Sequence, residues 1–428
     1  MERNDVIYQT YVQILQRELI CAMGCTEPIA LAYCAAVARS TLGMQPDRIC
    51  VEASGNIIKN VKSVVVPNTG GRRGIAAAAC IGVLGGDENA GLEVISKVTE
   101  ETKEELGTYM EKTPVEIKPL ESENLLDMIV TVYAGESWAK VRIANEHTNI
   151  VLIERNGEIL LEKEAETGAE EEDMPDYTLL TVEQIYDFAC TCNLDDVRPV
   201  LDRQIECNTA IAEEGLRHDY GANIGKVLLK TSDDLRTRAK AFAAAGSDAR
   251  MNGCEMPVVI CSGSGNQGMT TSLPVIVYAR GLGASKDQLY RALLISNLIT
   301  LHAKTGIGRL SAYCGAVSAG AGAGAGIAFL NGGDVSVISH TIVNALAITS
   351  GIVCDGAKSS CAAKIATAVE TGIFGYEMYR EGQQFFGGDG LVAKGVENSI
   401  ANFGRLAREG MRETDQEIIL MMTEEKEE

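Results

Sequence analysis

Apolar positions change texture twice along this chain. In residues 5–22, Tyr8, Tyr11, Val12, Leu15 and Leu19 recur at helical spacing and predict an amphipathic helix. Gly24 breaks it, Thr26 stands as the expected N-cap, and Pro28 opens an apolar helix over 29–38. Residues 48–53 read as a strand, and an alanine-rich helix is expected from Ile75. Beyond Gly91 the pattern becomes a charged helix over 92–112, then short extended runs at 115–117, 128–133 and 138–144. Runs at 149–154 and 158–161 flank Asn156-Gly157, a strong hairpin signal. The acidic run 162–173, with Pro175 behind it, reads as a solvated linker. Helical patterning returns from Thr178, opening on a capping box at Thr181 and Gln184.

The pattern predicts an α+β chain, a predominantly helical core with a small α+β module inserted. Residues 1–90 and 177–415 supply the core, 91–165 the module, and 416–428 a frayed tail. Two stretches, 310–333 and 335–354, carry no Asp, Glu, Lys or Arg. Their length suits a membrane span. The first is mostly Gly, Ala and Ser, however, and mean hydropathy is only +0.03, so both are read as tightly buried core. Glycine at alternate positions late in 315–326 would let other elements, or a bulky cofactor, approach the backbone.

A net charge of −21 opposes nucleic acid and anionic membrane as partners, since both need a basic face. Thirteen cysteines, an odd count, and an N-terminus without an apolar signal region argue against a disulfide framework and for a reducing cytoplasm. The oligomeric state stays open, a homodimer included.

Cys314 lies ahead of the glycine-rich run, and Cys354 and Cys361 stand seven apart around Gly356 and two serines. Three thiolates can hold a 4Fe–4S cluster, but this is not the compact ferredoxin spacing, and three unrelated buried thiols remain open on spacing alone. Cys25 lies just ahead of a helix, whose N-terminal dipole is expected to lower its thiol pKa toward neutrality, with Glu27 opposing. Asn68, Thr69, Gly70 and Gly71 precede a helix as an anion nest, and Ser54, Asn56 and Lys59 form a second polar cluster. The turn Gly263-Ser-Gly-Asn-Gln-Gly matches the dinucleotide fingerprint, yet Pro274 is expected to interrupt the next helix and Asp287 sits at a helix start. A substrate-pocket turn presenting Ser264, Asn266 and Gln267 fits better. His302 could reach the same site from a helix.

Gly24-Cys-Thr-Glu-Pro, Ser54-Gly-Asn-Ile-Ile-Lys-Asn, Val66-Pro-Asn-Thr-Gly-Gly, Gly263-Ser-Gly-Asn-Gln-Gly, Ala312-Tyr-Cys-Gly-Ala and Cys354-Asp-Gly-Ala-Lys-Ser-Ser-Cys together resemble the L-cysteine desulfidases, relatives of the α-chain of iron–sulfur L-serine dehydratases. The resemblance spans nearly the whole chain. It implies a 4Fe–4S cluster on Cys314, Cys354 and Cys361, with Cys25 as general base. The implied reaction is non-oxidative β-elimination on L-cysteine to pyruvate, ammonia and sulfide, with L-serine as a further candidate and no pyridoxal phosphate. Rival readings are a non-catalytic cysteine-rich redox-sensing or binding protein, and a dinucleotide-dependent oxidoreductase.

Overall fold

The computed structural model describes residues 1–164 and 174–423. Most of the acidic run, 165–173, and the tail end, 424–428, lie outside the described residues. The fold is α+β and helix-dominated, with sixteen α-helices and eight strands among the described residues.

Helix α1 (Val6–Glu18) is shorter than its apolar pattern, because residues Cys21–Met23 form strand β1. That strand pairs antiparallel with β8 (Pro257–Val259), Cys21 opposite Val259, so tertiary pairing takes the end of the periodic run. Strand β2 (Arg48–Ala53) matches its sequence pattern and has both faces largely covered. Its neighbours are β3 (Val115–Pro119), parallel, and β4 (Asp127–Ala134), antiparallel. The sheet continues through β5 (Ser137–Ala144), β6 (Ile150–Arg155) and β7 (Glu158–Glu162) in the order β3-β2-β4-β5-β6-β7. A strand from the first ninety residues thus lies inside the sheet of the 91–165 segment. The hairpin turn is as expected: Asn156 at φ 50° and Gly157 at φ 87° supply the two left-handed positions of a tight connection.

Helix α2 (Thr26–Leu42) lies on β4 and β5 and packs against α4 (Gly74–Gly85). The short α3 (Gly55–Val61) follows β2. Helix α5 (Glu100–Lys112) starts later than its charged pattern, because the Thr99 side chain accepts from the Thr102 amide and caps it there.

The second half is a helical body: α6 (Val182–Thr191), α7 (Arg198–Arg217), α8 (Ile224–Thr231), α9 (Leu235–Met251), α10 (Gly265–Leu282), α11 (Lys286–Thr305), α12 (Gly315–Leu330), α13 (Val335–Thr349) and α14 (Cys361–Arg380). The Thr181 side chain caps α6 by accepting from the Gln184 amide. Helix α10 runs through Pro274 rather than stopping at it. The two uncharged stretches form α12, which is buried and in contact with α10, α11, α13 and α14, and α13, which is only half-buried and leaves Ser336 and Ile348 exposed. Among the described residues no helix is long and apolar enough to cross a membrane.

Alternate glycines on α12 make two separate i,i+4 rows. Gly320 and Gly324 face α14, where an added Cβ would lie 2.3 Å from the Ala368 carbonyl oxygen and 2.4 Å from that of Gly372. Gly322 and Gly326 face α11, where a Cβ would lie 2.5 Å from the Ser296 oxygen and 2.8 Å from that of Ala292. Backbone cannot yield as a side chain can. Gly320→Ala should therefore cost about 1–3 kcal/mol by overpacking, read as a lower denaturation midpoint with unchanged m-value. An unshifted midpoint would mean that α12 and α14 are not in this close contact.

After α15 (Val396–Arg405) and a π-helical turn over Leu406–Gly410, the last described element is α16 (Arg412–Thr423), which packs against α3. Residues 416–423 of the segment expected to fray are thus helical. They are anchored through Ile419, whose Cδ1 would lie 3.0 Å from a Cβ at Gly55.

Candidate active site

Four helix N-termini border one cavity. Cys25 is the N-cap of α2, Ser264 of α10 and Cys314 of α12, while Cys361 is the first residue of α14. The cavity, about 100 Å³, is lined by Cys25, Cys314, Cys354 and Cys361 together with Ser264, Asn266 and Gln267. The lining includes no strand of the six-stranded sheet.

Local structure explains each position. At Gly24 the backbone has φ 57°, and a Cβ would lie 2.4 Å from Pro67 Cγ, so only glycine delivers Cys25 to the start of α2. The cap is Cys25 itself, one residue before the Thr26 that the sequence suggests. Thr26 Oγ1 instead donates to the Gly263 carbonyl at 2.9 Å, tying α2 to the glycine turn. Cys314 and Cys354 are held together by an antiparallel bridge between Tyr313 and Val353. The Cys314 amide donates to Ile352 O at 3.2 Å and the Cys354 amide to Ala312 O at 2.6 Å. The loop from Cys354 to Cys361 turns at Gly356, φ 86°, where a Cβ would lie 2.3 Å from Lys59 O. Asp355 pins that loop by pairing with Lys358 at 2.6 Å and with Lys364.

Burial reverses the expectation for Cys25. At 3% exposure, desolvation and then the Glu27 charge push its thiol well above the ordinary range, and these outweigh the nearby Arg250. Cys25 Sγ donates to Glu27 Oε2 at 3.0 Å, while Asn60 Nδ2 donates to Oε1 at 3.2 Å. Burial alone would raise Glu27, but the adjacent His147 ring and the Cys25 thiol pull it down to about 2. His147 Nε2 stands 3.8 Å from Oε1, too far for a hydrogen bond. A depressed carboxyl pKa adds stability that is complete above its usual value of 4.5 and is lost as pH falls toward 2. Glu27→Gln should therefore lose less stability than the wild type between pH 4.5 and 2, measured by denaturant unfolding at each pH. Parallel pH curves for the two proteins would remove this linkage.

Burial also lifts the Cys314 thiol, to about 12 with the neighbouring Cys354 adding to it, and raises Cys361. All thirteen cysteines are free thiols. Among the described residues no three or more His, Cys, Asp or Glu groups converge as they would around one metal ion. A cubane differs, because each cysteine sulfur binds a separate iron corner and its ligands stand further apart than those of one ion. Three thiols on one cavity, close enough to influence one another's ionisation, fit that donor set. Coordination would deprotonate them outright.

Several predicted residues lie elsewhere. Ser54 and Asn56 line a second cavity of about 430 Å³, which meets the first only at Leu310 and Ser311. Ser54 Oγ donates to Leu125 O at 2.7 Å, and Asn56 and Lys59 both bind the α16 carboxylate of Asp415. Asn68 Nδ2 donates to Ile95 O at 2.8 Å, and Thr69 Oγ1 donates to Val66 O at 2.6 Å. Gly70 and Gly71, at φ 67° and 83°, shape that same turn, away from the cavity lining. His302 Nε2 pairs with Glu397 at 2.6 Å. These polar groups have partners inside the fold.

Three cations are new at the cavity: Arg250, Lys304 and Arg309. Lys304 is 4% exposed, and burial draws its pKa down to about 8, against the opposing charges of Cys354 and Cys314. Arg309 is bound by Glu18 at 3.2 Å and Glu146 at 3.3 Å. Each is a lone charge on a helix or loop, and periodicity gives such residues no signal. Among the described residues the strand before the glycine turn, β8, pairs only with antiparallel β1, and no parallel βαβ unit surrounds the turn.

The family profile described as "Serine dehydratase alpha chain" matches residues 89–420. The chain belongs to this family. It is also similar over almost its whole length to proteins named UPF0597. One from Desulfitobacterium hafniense is 58% identical, with 99% of this chain and 98% of the relative covered. One from Lachnoclostridium phytofermentans is 51% identical, covering 97% and 100% respectively, and one from Treponema denticola 46%, covering 97% and 98%. The serine dehydratase alpha-chain match includes Cys314, Cys354 and Cys361 and begins after Cys25.

Proposed function

We propose that this chain is an iron–sulfur-dependent lyase acting by β-elimination on a small L-amino acid. L-cysteine and water would give pyruvate, ammonia and sulfide, and L-serine would give pyruvate and ammonia. The observation that supports this reading is the convergence of four cysteines, from both ends of the chain, on one small cavity.

In this reading Cys314, Cys354 and Cys361 hold a 4Fe–4S cluster. When bound, it supplies a Lewis-acidic iron short of one protein ligand, suited to stabilising a departing sulfide or hydroxide. Cys25, outside the trio, takes the Cα proton as general base. Glu27 and Asn60 hold its position; burial and the Glu27 charge keep it a thiol at rest, and Arg250 works against them toward the thiolate.

Anaerobic reconstitution with iron and sulfide tests the reading. The expected result is broad visible absorption, with sulfide and pyruvate released from L-cysteine. Alanine at Cys314, Cys354 or Cys361 should abolish or sharply reduce both. A reconstituted wild type that stays colourless, or coloured protein in the triple variant, would overturn the cluster assignment.

A further inference from the structure

Arg250 ends α9 inside the protein at 1% exposure, and its Nε and Nη2 are buried without a hydrogen-bond partner. Among the described residues no carboxylate forms an ion pair with it, though it lines the cysteine cavity. A buried, unpaired guanidinium is costly unless an anion meets it in the working protein. It lies against the first turn of α10: a Cβ at Gly265 would fall 2.4 Å from Arg250 Nε. That turn aims its free amides and the positive end of an 18-residue helix at the same space. Two acceptors there are also unpartnered, Asn266 Oδ1 and Gln267 Oε1. Asn266 Nδ2 contacts Met251 Sδ at 3.6 Å, which turns its oxygen the other way.

A guanidinium and helix amides beside two amide oxygens complement one ligand chemistry: a carboxylate next to an ammonium. We infer that Arg250 and the first turn of α10 bind the zwitterionic head of an α-amino acid. Arg250 takes the α-carboxylate, and Asn266 and Gln267 accept from the ammonium. This rests on the proposed function for its substrate class but not on the cluster, and it adds Arg250 as the residue that selects a free carboxylate. The amino acid is then held by its α-carbon end, leaving its β-substituent toward the cysteines.

L-Alanine carries this head and no β leaving group, so its binding is readable without turnover. Ligand-observed NMR with the full chain, before and after reconstitution, should show L-alanine binding and L-alaninamide not. Arg250→Gln should weaken L-alanine binding about a hundredfold and erase the acid-over-amide preference, with Arg250→Lys recovering part of it. Unchanged melting and unchanged visible absorption in Arg250→Gln would separate ligand binding from folding and from neutralising an anionic cluster. Wild type that binds alaninamide as well as alanine, or Arg250→Gln that keeps the preference, overturns the inference. Loss of absorption in Arg250→Gln with the preference intact does so as well, assigning Arg250 to the cluster. A protein that discriminates acid from amide yet never forms a cluster would refute the lyase reading alone.

Discussion

Cys25→Ala is expected to retain the visible absorption of the reconstituted protein while pyruvate formation from L-cysteine falls about 10²–10⁴-fold, the usual contribution of a general base. The absorption survives because Cys314, Cys354 and Cys361 come from α12, α14 and the loop between α13 and α14, while Cys25 sits on α2. Turnover falls because, in the proposed mechanism, Cys25 is the group that takes the Cα proton, and it stands outside that trio on the cavity wall. Lys304 is the competing base, buried at the same cavity with a pKa of about 8. Near-normal turnover in Cys25→Ala, coupled with a collapse in Lys304→Met, would move the role to the lysine. A colourless Cys25→Ala would instead make Cys25 a fourth ligand, leaving no iron free of protein sulfur.

Asp415→Ala should destabilise the fold by about 3–5 kcal/mol, because it strands the Lys59 ammonium, whose side chain is 1% exposed. Asn56 Nδ2 loses the same acceptor, now at 2.8 Å. The double variant Lys59→Met with Asp415→Leu should regain much of that loss, since removing both charges avoids the stranded cation. Denaturant titration of the three proteins reads both effects. Equal midpoints for Asp415→Ala and wild type would show that α16 is not docked on α3 through this pair.

That pair also explains what the sequence could and could not disclose. Ser54, Asn56 and Lys59 look like a ligand-binding cluster when only their own segment is visible. The partner of two of them is a carboxylate some 356 residues later, and no local pattern connects the two. Arg250 is the reverse case: it looks like an ordinary charge at a helix end, and only its buried Nε and Nη2, without a hydrogen-bond partner among the described residues, mark it out. Cys25 is intermediate. Its place at a helix start was legible from Gly24 and Pro28, but the sign of its pKa shift depended on burial, which outweighed the helix dipole. Strand β2 and the Asn156-Gly157 turn were legible because a short apolar run with β-branched Ile49 and Val51, and left-handed turn residues, act over a few positions. The sharing of the sheet between β2 and the later strands was not, because pairing partners are chosen by the whole fold.

The glycine rows of α12 tie the timing of assembly to the making of the site. Cys314 heads a helix whose bare flanks match the backbones of α11 and α14, and α14 begins with Cys361. Gly320 meets Ala368 and Gly324 meets Gly372, two to three turns into that helix. Seating α14 therefore brings Cys361 alongside Cys314 in the same event that completes the interior. In the proposed reading, a newly made chain would offer iron no gathered trio of sulfurs until α12 and α14 had packed together, so metal loading would come after folding and not guide it.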